Sequence, residues 1–145
     1  GFLVGGGLDN QIRLWNLQLG EMVKAIPGHV NSVNEVAISR EGNWAVSASK
    51  DRSVRIWDLT SSRPLKTLTG HTQEVNAVAI TADDTTIVSG SSDGTVRFWN
   101  SQSGQLLQTL SAHNNAVHSL AIHRSGRLVA SASADKLIKL WKWKG

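Results

Sequence analysis

His29, Ser47 and Asp51 supply an imidazole base, a hydroxyl and a carboxylate, the side-chain types of an acyl-transfer triad. The same three types return at His71, Ser89 and Asp93, and again at His113, Ser131 and Asp135. Threefold recurrence argues against catalysis, because a reaction needs one centre. No Gly-x-Ser-x-Gly elbow lifts any of these serines toward a substrate, and nothing near them resembles a prepared oxyanion hole. No catalytic residue is expected, and the chain is read as a non-enzyme. A metal site fares no better. His113, His118 and His123 are spaced by five, but strand alternation puts His118 and His123 on opposite faces, and His123 falls in a turn. Gly5, Gly6 and Gly7 are followed by no helix, so they lack the setting of a phosphate-cradling loop; close approach of a neighbouring backbone is the better reading. The absence of cysteine removes disulfides and thiolate chemistry. No metal or other cofactor is expected.

The elements that hold these residues are repeats. Trp15, Trp57, Trp99 and Trp141 stand 42 positions apart, and Asp9, Asp51, Asp93 and Asp135 keep the same step, always six residues before the Trp. A period of this length with a recurring Trp marks the blade of a propeller. Within each period, short alternating runs are separated by turn signals. The pattern predicts a strand at 33–38 with Val33, Glu35 and Ala37 on one face, a turn at Arg40-Glu41-Gly42, and a strand at 44–49. A third strand ends at the Trp, and a fourth covers 64–68 or 106–110. Asp93-Gly94 reads as a tight hairpin that needs positive backbone angles. Four strands per period is the content of one blade. The fold expected is all-β, a partial β-propeller of about three and a half four-stranded antiparallel blades. Residues 1–27 form an incomplete blade holding the last three strands; 28–69 and 70–111 are repeat units; 112–145 is an incomplete unit ending after its third strand.

Gly28-His29, Gly70-His71, the Ser-x-Ser-x-Asp stretches 47–51 and 89–93, and Trp57-Asp58 resemble the WD-repeat β-propeller family over essentially the whole chain, as an uninterrupted tandem array of the bacterial type. Departures are Trp15-Asn16, Trp99-Asn100 and Trp141-Lys142 in place of Trp-Asp, Ala112 in place of the glycine, and Gly5 in place of the serine. The resemblance implies that Trp57, Ser47, His29 and Asp51 form a structural hydrogen-bond network, as do Trp99, Ser89, His71 and Asp93, and Trp141, Ser131, His113 and Asp135. It also implies a partner-binding face on the turns before the first and third strands. By position that face comprises Ser32, Asn34 and Lys50; Glu74, Asn76 and Ser92; and Ala116, His118 and Ala134. The function expected is a non-catalytic scaffold for protein or peptide partners, within a larger signalling or assembly protein; the alternative is the regulatory or targeting module of an enzyme.

The net charge of +4 is read as a solubility feature rather than a nucleic-acid footprint, since two Phe and no Tyr leave few platforms for bases. Arg13, Arg55, Arg97 and Lys139 share one repeat position, two before the Trp, where a long stem covers apolar surface. Trp44 and Trp143 lie off the 42-residue ruler and are assigned to packing. No run has membrane-spanning length and no signal peptide is visible, so a cytoplasmic location and no membrane partner are expected. The missing strands at the two ends do not complete each other. The expectation is therefore that further blades come in cis from a longer chain, or from a second copy closing a ring.

Overall fold

The computed structural model describes residues 1–144. Every element among the described residues is a strand, and within each sheet consecutive strands pair antiparallel. The first sheet holds β1 (Phe2–Gly6), β2 (Gln11–Asn16) and β3 (Glu21–Pro27). The second holds β4 (Val33–Ile38), β5 (Trp44–Ser49), β6 (Val54–Asp58) and β7 (Arg63–Leu68). The third holds β8 (Val75–Ile80), β9 (Thr86–Ser91), β10 (Val96–Asn100) and β11 (Leu106–Leu110). The fourth holds β12 (Val117–Ile122), β13 (Leu128–Ser133) and β14 (Ile138–Lys142). The molecule is all-β, a partial propeller of three- and four-stranded antiparallel sheets packed side by side.

Three apolar layers lie between consecutive sheets, and each uses the same repeat positions. Ile12 and Ile26 of the first sheet meet Val33, Ala45, Trp57 and Leu59 of the second. Val46, Val54, Ile56 and Leu68 then meet Val75, Val78, Ile87 and Trp99. Val88, Val96 and Phe98 meet Val117 and Val129, with Leu120 and Trp141 packed against them. A sheet alone has no core. Its faces are buried only by neighbours, which is why the sequence period and the packing period coincide. Close approach of a neighbouring sheet is visible at one of the three N-terminal glycines: a Cβ on Gly6 would collide with Val33 of β4, as one on Gly90 would come within 2.7 Å of Val117.

One expectation about strand faces is overturned. The register of β4 against β5 shifts between Val33 and Glu35, and the same bulge recurs between Val75 and Ala77 and between Val117 and Ser119. The extra residue turns Val33 onto the side of Val36, away from Glu35 and Ala37. A bulge bends the strand and re-aims its side chains, and simple alternation cannot reveal it.

Candidate functional site

Trp57, Trp99 and Trp141 each reach a network from the third strand of their sheet, across to the second strand and up to the turn that enters the first. In the second sheet the Trp57 indole N–H donates to Ser47 Oγ at 2.7 Å, and Ser47 Oγ lies 2.5 Å from His29 Nε2. His29 Nδ1 lies 2.7 Å from Asp51. Since indole only donates, the serine hydroxyl accepts from it and donates a hydrogen bond to Nε2, and the neutral imidazole donates from Nδ1 to the carboxylate. The third sheet repeats the chain through Trp99, Ser89, His71 and Asp93 at 2.8, 2.8 and 2.9 Å. The fourth repeats it through Trp141, Ser131, His113 and Asp135 at 2.9, 2.8 and 2.7 Å. Ser47, Ser89 and Ser131 are wholly buried, with their oxygens engaged on both sides.

Electrostatics fit that proton arrangement. Burial holds the His29 and His71 imidazoles below their ordinary range, outweighing the adjacent carboxylates. Burial works against charge at Asp51 and Asp93 too. There the Ser53 or Thr95 hydroxyl, the histidine and a backbone amide outweigh it, and both carboxyls sit at about 2. Ser53 Oγ and Thr95 Oγ1 each donate to the aspartate at 2.6 Å. Sequence reasoning missed this position, although Ser53 and Thr95 recur on the 42-residue step. In the fourth sheet Leu137 occupies the place and supplies only its amide, 2.9 Å from Asp135.

The second serine of each Ser-x-Ser-x-Asp stretch was also missed as a separate device. Ser49 Oγ donates to the carbonyls of Asn31 and Ser32, and Ser91 Oγ to those of Gln73 and Glu74. Each fixes the entry turn against the hairpin that carries the aspartate. The first sheet lacks the network. Gly5 has no hydroxyl, Asp9 pairs with Arg13 instead, and Trp15 is 37% exposed. Gly28 packs where a Cβ would lie 2.5 Å from the Trp57 ring, and a Cβ on Gly70 would strike Arg97. Ala112 fits the same place beside Lys139, a slimmer side chain whose Nζ donates to the Ala112 carbonyl at 2.7 Å.

The nine loop-end positions share one end of the second, third and fourth sheets. Backbone bonds join Lys50 to Ser32, Ser92 to Glu74 and Ala134 to Ala116 at 2.9–3.0 Å. Lys50, His118 and Ala134 are exposed, as is Asn34; Ser32, Glu74, Asn76, Ser92 and Ala116 are half-buried. The asparagines are engaged elsewhere. Each sits in the bulge and donates from its amide across to the next sheet, Asn34 to the Val75 carbonyl and Asn76 to that of Val117, both at 2.9 Å. His118 holds the equivalent place in the fourth sheet. Among the described residues no group of three or more His, Asp or Glu converges as metal ligands, and no helix is long and apolar enough to cross a membrane.

The family model described as "WD domain, G-beta repeat" matches residues 20–58, 62–100 and 104–142. Each match begins before the last strand of one sheet and ends with the third strand of the next, so the sequence repeat straddles two sheets. Autophagy-related protein 16 of Arabidopsis thaliana is 33% identical over 45 residues, 31% of this chain and 9% of that protein. The Lissencephaly-1 homolog of Monosiga brevicollis is 43% identical over 35 residues, 24% of this chain and 8% of that protein. The chain thus matches less than a tenth of the length of these curated relatives.

Proposed function

Because this chain belongs to the WD-repeat family, whose propellers are generally non-catalytic modules for protein interaction, we propose that it is a rigid scaffold presenting a loop face to a protein or peptide partner within a larger signalling or assembly protein. The observation that carries this reading is the full internal use of every Ser–His–Asp–Trp set. The groups that could do acyl chemistry are buried and mutually satisfied, and a complete polar network rigidifies what surrounds it. What this leaves for recognition is the contiguous loop end, with Lys50, Ser92 and Ala134 on neighbouring hairpins. Fold alone never assigns function, so the test addresses the surface.

A photo-crosslinking amino acid placed at Lys50, Ser92 or Ala134, in cells of the source organism, is expected to trap one common protein. The same probe at Thr60 or Gln102, on turns at the other end of the strands, is expected not to trap it. Equal trapping from both ends, or none from the loop face, would overturn the assignment. Fluorophosphonate treatment supplies the second arm: a covalent adduct on Ser47, Ser89 or Ser131 would restore the catalytic reading.

A further inference from the structure

The chain's charge is unevenly placed. Residues 112–145 hold six Lys and Arg against one Asp, whereas residues 1–111 hold nine against ten acidic residues. The fourth sheet therefore carries the whole positive excess. Much of it gathers where the turn from β12 to β13 meets the end of β14. There a hollow of about 770 Å³ between the second and third sheets has a counterpart of about 550 Å³ on the fourth. The two are opposite in sign. Asp58, Asp83 and Asp84 outnumber Lys66 in the first, which Trp44 also lines; Arg127, Lys142 and Lys144 line the second with His123, Leu128 and Trp143 and no carboxylate. Among the described residues, none of the three Lys and Arg lining the second hollow forms a salt bridge. Asp83 lines an adjoining cleft with Arg127 and Lys144, where its Oδ1 is held by the Thr81 and Thr85 hydroxyls and the Thr85 amide.

The hollow is firmly framed. Trp143 stacks on Phe98 at 4.2 Å, and its amide donates to the Arg127 carbonyl at 2.8 Å. His123 Nδ1 accepts from the Ser125 amide at 3.2 Å. Leu128 and Trp143 give the cationic rim an apolar floor. We infer that this corner docks an acidic peptide segment of a protein partner, one whose carboxylates meet Arg127, Lys142 and Lys144 while an apolar side chain rests on Leu128 and Trp143. A cationic rim selects acidic partners and speeds their encounter. Nucleic acid fits less well, because Trp143 already spends one ring face on Phe98, which leaves the small His123 imidazole as the other ring in the hollow. The site lies at the opposite end of the strands from the loop face, so each can fail independently.

The test is fluorescence anisotropy with a labelled glutamate-rich peptide carrying one leucine, its glutamine counterpart, and an oligothymidylate. The glutamate peptide alone is expected to bind at low salt. Arg127→Glu with Lys142→Glu is expected to weaken it about tenfold or more, and Lys24→Glu with Arg63→Glu, an equal charge change elsewhere, less than about twofold. Lys144→Glu, at an exposed position, is expected to weaken binding by about threefold without disturbing the fold. Absence of binding, equal loss in both double variants, or equally tight binding of the oligothymidylate through the same residues would overturn the inference.

Discussion

A tryptophan is worth what surrounds it. Trp57 is 0% exposed, has its N–H engaged and lies between two sheets, whereas Trp15, one repeat earlier, has Gly5 at the position of the serine and keeps more than a third of its surface open. Trp57→Ala is therefore expected to cost about 3–5 kcal/mol and Trp15→Ala less than about 1 kcal/mol, read from denaturant unfolding. Similar losses would show that the network adds nothing to burial. The same residues set the pH response. Folded His29 and His71 resist protonation, so their contribution is full above the unfolded value of 6.5 and is lost as pH falls below it. Asp51 and Asp93, held at about 2 against 3.8, contribute stability that is full above about pH 4 and lost toward pH 2. With solvent screening allowed for, each aspartate is worth about 1 kcal/mol. Thermal melts should fall in both intervals on acidification, and Asp51→Asn should flatten the lower one. Stability that rises on acidification between pH 6.5 and 5 would reverse the assignment of neutral imidazoles.

At the scale of the element, the strands and their order were legible because alternation, turn residues and an unbroken period all reinforced one another. Trp44–Ser49 and Leu106–Leu110 are strands as the pattern predicts. The turns were legible in part. Gly94 has φ 81° as Asp-Gly implies, and Asn10 at φ 70° is a type that adopts it readily, yet the equivalent places in the second and fourth sheets hold Arg52 and Lys136 at φ 73° and 70°, which their residue types do not announce. The repeat sets their backbone and the side chain tolerates it. The bulge at Asn34 and Asn76 was not legible at all, since a polar residue at a loop end looks the same whether it faces solvent or a neighbouring sheet. Asn76→Ala removes donors to Val117 and Ser92 and should cost about 1–2 kcal/mol, while His118→Ala at the unpartnered equivalent should be nearly neutral. Indistinguishable melts for the two would mean that the asparagine does not staple the sheets.

For the whole molecule, the decisive quantity is uncovered apolar surface. Val54, Ile56, Val96 and Phe98 are 2% exposed or less, yet Ile138 and Leu140, their counterparts in the fourth sheet, are 76% and 67% exposed. Leu3, Leu17 and Phe2 are likewise open on the first sheet. Patches of this kind drive association. The purified chain is expected to sediment as concentration-dependent oligomers, and Ile138→Lys with Leu140→Lys to shift it toward monomer without lowering its melting temperature. A monomer at every concentration would count against that reading. The repeated interface also bears on ancestry and engineering. Because each layer draws on the same positions, excising residues 70–111 would set Leu68 and Ile56 against Val117 and Trp141, a joint of a kind the molecule already makes. Gene length can thus change by whole modules without inventing a new contact, and copy number becomes a heritable variable separable from the chemistry of any one surface.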